Sequence, residues 1–199
     1  MTTPQVGFSV NTIIPQIINN FDELTCTPKE FEQRLSMDQP FPPKVIVTGD
    51  LDLRRYTIKM LPAGLEVRGN LSLMCLDSLT TLPQGLKVIG NLSLNSCHSL
   101  KALTEELEVG DALYIYDCPS LTSLSQGLKL GGDLSVRCCK SLTSLPGWIT
   151  TLGVRTDGKT REVYISDTGL SNAIIDELHQ AFDPDRVLFL PDLASLGIF

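Results

Sequence analysis

Cysteine and histidine are the residue types of this 199-residue chain that could carry catalysis or bind a metal. A cysteine nucleophile needs a histidine beside it in a cleft, and a metal site needs several ligands at one place. His98 directly follows Cys97, but sequence neighbours at a chain corner usually point apart, and His179 falls on a separate predicted helix. No Cys-x-x-Cys pair occurs. We therefore predict no catalytic residue, no metal ligand and no cofactor.

The spacing of the cysteines indicates packing instead. Cys97, Cys118 and Cys139 are 21 residues apart. Leucines repeat at the same interval, at positions 61, 82, 103, 124 and 145 and again at 71, 92, 113 and 134. A fixed period of this length is typical of a solenoid, in which a unit buries its apolar face only by stacking on its neighbours. We interpret the cysteines as packing thiols in a reducing compartment, with Cys139 inside and its neighbour Cys138 exposed.

Within each period, apolar residues alternate as in a strand. The expected inward pairs are Leu51/Leu53, Leu71/Leu73, Leu92/Leu94, Leu113/Ile115, Leu134/Val136 and Val163/Ile165. A second alternating piece of the form Gly-Leu-x-Val precedes each pair, and glycines such as Gly69 and Gly90 follow it at an expected bend. The pattern predicts a β-rich α+β solenoid of about five to six coils with a parallel strand ladder.

Both ends of the solenoid need caps, and the sequence predicts helical ones. Thr27 and Glu30 form a capping box for a helix that ends near Met37, and Ser171 can N-cap a second helix. We assign residues 1–45 to the N-terminal cap, 46–154 to the repeats and 155–199 to the C-terminal cap. Four smaller expectations concern a helix at 13–21, a turn at 156–159, Phe182 on the apolar side of the second helix, and a closing segment at 187–190.

The segment Leu94–Leu100 reads L-x-x-C-x-x-L, and two units, at 61–65 and 82–86, contain Leu-Pro-x-Gly-Leu. These features resemble leucine-rich repeats, in particular those of secreted effectors of bacterial pathogens and symbionts, over about residues 47–170. The resemblance implies that Cys97, Cys118 and Cys139 point inward and hydrogen-bond turn carbonyls. Such effectors often carry a ubiquitin-ligase domain with a catalytic Cys-x-Asp motif. We expect neither the motif nor, given the remaining length, such a domain here. The chain is then either a stand-alone repeat protein or the recognition part of an enzyme.

We expect the outward side of the strand ladder to be the binding surface. Most outward positions are small and polar, but Tyr114 and Tyr116 stand two apart on one strand. Tyrosine and arginine are enriched at binding hot spots. The candidate partner-binding residues are Arg54, Met74, Asn95, Tyr114, Tyr116, Asp117, Arg137 and Tyr164. We predict a non-enzymatic module that binds a protein or peptide there, although cross-strand packing would also explain the tyrosines.

Charge and hydropathy limit the other partners. The formal net charge of −7 disfavours nucleic acid, and no apolar segment is long enough to span a bilayer. We expect a monomer, with a self-associating structural solenoid as the alternative. The uncharged opening of the chain suits a type III secretion signal, and disordered termini look the same. The expected location is a reducing cytosol, either bacterial or, after type III- or IV-like secretion, that of a host.

Overall fold

The computed structural model describes residues 22–54, 56–152, 161–181 and 187–188. In chain order the elements are β1 (Glu23–Cys26), α1 (Pro28–Ser36), β2 (Lys44–Val47), β3 (Leu51–Asp52), β4 (Leu65–Val67), β5 (Leu71–Ser72), β6 (Lys87–Val88), β7 (Leu92–Ser93), β8 (Glu108–Val109), β9 (Leu113–Tyr116), β10 (Lys129–Leu130), β11 (Leu134–Arg137), a 3-10 helix (Gly147–Thr151), β12 (Val163–Ser166), α2 (Asn172–Ala181) and β13 (Val187–Leu188). The expected turn at 156–159 and helix at 13–21, as well as Phe182 and residues 189–190, lie outside the described residues.

The strands form two parallel sheets, and each coil of the repeat contributes one strand to each sheet. Sheet 1 has the order β1-β2-β4-β6-β8-β10, and sheet 2 has the order β13-β12-β11-β9-β7-β5-β3. Successive coils pair in parallel and in register, so that Leu92 lies beside Leu71 and Leu113. This arrangement confirms the predicted solenoid, with about five turns.

The core lies between the two sheets and consists mainly of the repeated leucines. The predicted inward residues of sheet 2 are all buried, whereas the residues between them are on the outer face. The Leu-x-Val pieces of sheet 1 bury their alternate side chains against the same core. A coil has no core of its own in this arrangement, because its leucines are covered by those of the coils above and below.

The N-terminal cap follows the predicted capping box. The Glu30 backbone N–H donates to Thr27 Oγ1 at 3.3 Å, and the Thr27 backbone N–H donates to Glu30 Oε2 at 2.8 Å. Phe31 on helix α1 is fully buried and packs on Phe41, with ring centroids 4.8 Å apart. The sequence prediction did not include strand β1, which adds a further rung to sheet 1 beside β2.

The described part of the C-terminal end shows both predicted elements. Strand β12 extends sheet 2 beside β11, and helix α2 begins directly after Ser171 and buries Leu178. Sheet 1 stops earlier, at β10. Ile149, 21 residues after Leu128, is buried in the 3-10 helix instead of a strand, and Trp148 Nε1 donates to the carbonyl of Ser125 at 2.9 Å. The 3-10 helix thus takes the place of a sixth repeat strand in sheet 1.

The corners of the coils depend on close approach and on left-handed backbone. A Cβ on Gly69 would lie 2.5 Å from the carbonyl carbon of Gly49, so glycine there provides clearance between coils rather than an unusual φ. The turns after strands β5, β7, β9, β11 and β12 of sheet 2 instead use a positive φ at a non-glycine residue. These residues are Cys75, Ser96, Asp117, Cys138 and Asp167, with φ between 49° and 59°. Such a conformation costs roughly 1–2 kcal/mol per residue, which the stacked coil must offset.

Candidate partner-binding face

The outer face of sheet 2 carries the tyrosines as the strand alternation predicts. Tyr114 and Tyr116 are 43% and 49% exposed, whereas Leu113 and Ile115 on the same strand are at most 1% exposed. Tyr114 pairs with Ser135 on the next strand, and Ser135 pairs in turn with Tyr164. The small side chain of Ser135 therefore separates two tyrosines that lie two rungs apart, about 10 Å.

Arg137 lies directly beside Tyr116 in the sheet register. Its guanidinium carbon is 5.4 Å from the centroid of the Tyr164 ring, a cation–π arrangement. The Tyr164 hydroxyl in turn donates to the Glu162 carboxylate. Arg137 Nε is shielded from solvent and has no hydrogen-bond partner among the described residues. Tyr114, Tyr116, Arg137 and Tyr164 form one contiguous group, which we call the tyrosine patch.

Tyr116 also interacts with the turn that follows its neighbouring strand. Electrostatic interaction with the Cys138 thiol raises the pKa of Tyr116. Cys138 itself is half-buried rather than exposed as predicted. Asp117 and Asp167 raise the same pKa to a smaller extent, so that negative charge surrounds this end of the patch.

The remaining candidate residues extend away from the tyrosine patch along the same row. Met74 and Asn95 are half-buried, and Asn95 Oδ1 is a second shielded atom that has no partner within the described part of the chain. Arg54 lies three rungs from Tyr116, roughly 14 Å away. Its guanidinium already binds the Asp52 carboxylate in its own coil, at 2.6 and 2.9 Å. Arg54 is therefore neutralised and lies apart from the tyrosine patch.

Asp117 belongs to a charged cluster at the coil corner. His98 Nδ1 lies 2.6 Å from Asp77 Oδ1, and His98 Nε2 lies 3.2 Å from Asp117 Oδ2. The hydrogen bonds to Asp77 and then Asp117 raise the pKa of His98. The sequence prediction treated His98 as an isolated surface residue. Its spacing of 21 residues from Asp77, one repeat, is the signal that could have revealed this bridge.

The polar residues that directly precede the first buried leucine of the sheet-2 strands have a structural role. Asp50 Oδ1 accepts from the backbone N–H of Asn70 at 2.7 Å, and Asn70 Oδ1 accepts from that of Asn91 at 2.8 Å. The Asn91 side chain continues the series to the N–H of Ala112 at 3.0 Å. These side chains satisfy backbone donors at the corner and hold consecutive coils in register. We therefore exclude them from the candidate binding surface.

The repeated cysteines are inside the solenoid, as the resemblance implied. Cys97 Sγ donates to the Leu73 carbonyl at 2.9 Å, and Cys118 Sγ donates to the Leu94 carbonyl at 2.8 Å. Interactions with the neighbouring thiols of Cys139 and Cys97, together with burial, raise the pKa of Cys118. All six cysteines are free thiols. Among the described residues, no group of three potential ligands is placed to hold a metal ion.

The prediction that the chain lacks a Cys-x-Asp motif is wrong. Cys75-Leu76-Asp77 has the Cys-x-Asp spacing of the ligase motif. It lies in the turn after strand β5, where Cys75 is exposed with a φ of 59° and Leu76 is buried in the core. Asp77 is engaged with His98 at 2.6 Å. The triplet is thus an ordinary part of the repeat turn rather than part of a separate domain.

The outer face of sheet 1 differs in its charge pattern. Glu66, Lys87, Glu108 and Lys129 lie side by side on successive strands. Glu108 binds Lys129 at 2.5 Å and Lys87 at 3.6 Å. Next to this row, Ile89, Gly110 and Gly131 line part of a shallow depression of about 260 Å³. None of these residues was proposed from the sequence, although their 21-residue spacing was visible.

In comparisons with known proteins, no family model, curated protein or solved structure matches this chain. Within the described residues, no helix is both long and apolar enough to cross a membrane.

Proposed function

We propose that this chain is a non-enzymatic binding module and that a protein partner docks on the tyrosine patch. The observation that carries the proposal is the exposure of Tyr114 and Tyr116 beside Arg137, a cation that has no ion pair among the described residues. Exposed aromatic rings bury a large area on binding while losing few rotatable bonds. Arginine and tyrosine together are the composition of a typical hot spot.

The rest of the outer surface supports this choice of site. The charges of the row on sheet 1 are in ion pairs, with Glu66 bound to Arg68 and Glu108 bound to both lysines, and Arg54 is paired with Asp52. A partner that docked on either would have to displace existing ion pairs, whereas the tyrosine patch offers apolar rings and a guanidinium that has no ion pair within the described part of the chain. The acidic chain as a whole favours a protein over a polyanion.

The finer assignment is to bacterial leucine-rich repeats of the effector type. Two features support it: the 21-residue repeat with Leu-Pro-x-Gly-Leu, and inward cysteines that hydrogen-bond backbone carbonyls. The free, buried thiols suit a reducing cytosol. In this proposal the protein works as a monomer and holds its partner on a rigid surface.

The test is affinity capture from a candidate host lysate with three proteins in parallel. They are the wild type, the double variant Tyr114→Ala/Tyr116→Ala, and the control Ile89→Ala, which removes an exposed apolar side chain from sheet 1. We expect the wild type and the control to retain the same partner and the double variant to lose it. Equal capture by all three proteins would place the binding site elsewhere.

A further inference from the structure

Arg137 differs from the other arginines on the outer faces in how its charge is balanced. Arg54 binds Asp52 at 2.6 Å, and Arg68 binds Glu66 at 2.8 Å. In the part of the chain that the structure describes, no carboxylate lies within ion-pair distance of Arg137. The guanidinium is nevertheless held in place, because its Nε is shielded and its carbon lies over the Tyr164 ring.

This arrangement prepares Arg137 to receive an anion. Since Nε is shielded, the donors that a ligand can reach are the two terminal Nη groups. A carboxylate that approaches them end-on can accept two parallel hydrogen bonds. The half-buried setting between Tyr116 and Tyr164 reduces the screening that weakens a fully exposed ion pair.

The surrounding charges favour an anion with a single negative charge. Arg137 pairs with Tyr116 and Ser166 in sheet 2, and these residues are followed directly by Asp117 and Asp167. One guanidinium can neutralise one carboxylate, but a phosphate dianion would keep an uncompensated charge beside these two acids. The exposed rings of Tyr114 and Tyr116 would then contact apolar groups on either side of the carboxylate.

We propose that Arg137 is a carboxylate-binding subsite that receives a single aspartate or glutamate side chain, flanked by apolar residues, from the partner segment on the tyrosine patch. This inference rests on the proposed function, since it names the chemistry of the partner at that site. The occupant is an extended protein segment, because the row from Met74 to Arg137 crosses four successive coils, roughly 15 Å.

The test uses defined peptides and the full chain with labelled arginine side chains. The probes are N-acetylated, C-amidated Leu-Glu-Leu, its neutral isostere Leu-Gln-Leu, and inorganic phosphate. The Nε–Hε NMR signal of Arg137 and the ring signals of the tyrosines report binding. We expect Leu-Glu-Leu to shift these signals with an affinity about tenfold higher than that of Leu-Gln-Leu, because it adds a charge-assisted bidentate contact.

Arginine variants distinguish the carboxylate-binding subsite at Arg137 from the tyrosine patch as a whole. Arg137→Gln should abolish the preference for glutamate, and Arg137→Lys should keep part of it because the charge remains. Arg54→Gln is the matched control on the same face and should change nothing, since Asp52 already occupies that guanidinium. Circular dichroism and thermal unfolding check that each variant is folded.

Two results would overturn the subsite while leaving the binding surface intact. One is equal affinity for the glutamate and glutamine peptides, with both lost in the variant Tyr114→Ala/Tyr116→Ala. The other is tighter binding of phosphate than of Leu-Glu-Leu at Arg137. If no probe shifts the patch signals, the subsite is wrong, and the capture experiment with the tyrosine variant decides separately whether the surface binds a partner.

Discussion

The two outer faces of the solenoid cover the same leucine core but differ in how their charged residues are paired. On sheet 1, Glu66, Lys87, Glu108 and Lys129 alternate in sign on neighbouring strands, and Glu108 is paired with the lysines on both sides. On sheet 2, the corresponding rows change from small polar residues to exposed tyrosines beside an arginine that has no ion pair among the described residues. One face pairs its own charges, and the other carries the residues at which we propose that a partner binds.

This difference shows where the repeat restricts the sequence and where it does not. Inward positions must be apolar in every coil, because each is covered by its equivalents above and below. Outward positions carry no such requirement. A departure from the local pattern at an outward position, such as Tyr114 among the serines of its column, is therefore more informative about function than any leucine.

The largest expected effect on stability comes from a substitution in the leucine core that lies beneath both faces. Leu113→Ala should lower the free energy of unfolding by about 3 kcal/mol, because the buried leucine leaves a cavity that packed coils fill only in part. Tyr114→Ala, one residue away on the outer face, should lower it by less than about 0.5 kcal/mol. Chemical denaturation of the two variants makes the comparison. Similar losses for both would contradict the assigned sides of strand β9.

A smaller effect is expected from breaking the charge alternation on sheet 1. Glu108→Lys would place three lysines on successive strands and should destabilise the protein by about 0.5 kcal/mol, because like charges directly opposite repel. The loss should shrink in high salt. Capture of a partner should be unchanged, since this face is not the proposed site. Glu108→Gln is the control for removing the ion pairs without adding a positive charge. If Glu108→Lys reduced capture and Glu108→Gln did not, the outer face of sheet 1 would also influence partner binding.

The smallest effect concerns pH and the corner beside the tyrosine patch. The pKa of His98 is raised by its hydrogen bonds to Asp77 and Asp117, so the folded protein holds this proton more tightly than the unfolded chain. The stabilisation is fully present below the ordinary pKa of histidine and is lost as pH rises through the raised pKa of the folded state. Thermal unfolding from mildly acidic to mildly alkaline pH should show this decline in the wild type.

His98→Gln supplies the matched comparison for that titration. Its stability should lack the component of the pH dependence that His98 contributes, because glutamine does not titrate. An NMR titration of the His98 ring gives its pKa directly. A value at or below that of an unperturbed histidine would show that the bridge to Asp77 and Asp117 does not form in solution.

Much of the fold was predictable because each prediction used a local rule. The alternation at Leu113 and Ile115 gave the side of each strand, and Thr27 with Glu30 gave the start of helix α1. The misses have a different origin. Strand β1 forms only because β2 is beside it, and Ile149 lies in a 3-10 helix where sheet 1 ends. Neither depends on a pattern within its own segment.

The features of the candidate site were likewise predictable where a local rule applied and unpredictable where they depend on contacts between side chains. Alternation along strand β9 was enough to place Tyr114 and Tyr116 outward, and the 21-residue period placed Arg137 beside Tyr116. Nothing in the sequence pattern indicated that Arg54 is already paired with Asp52, or that Cys138 is half-buried. These facts depend on which rotamer each side chain adopts against its neighbours.

By itself, the sequence determined the period, the inward residues and the order of coils, because stacking identical units imposes the same apolar positions on each. Only the tertiary structure decided how charge is distributed on the surface. The bridge from His98 to Asp77 and Asp117, the charged row on sheet 1 and the contact of the Arg137 guanidinium with the Tyr164 ring arise between coils. Partners about 20 residues apart in the chain meet there because parallel strands bring equivalent positions within about 5 Å of each other.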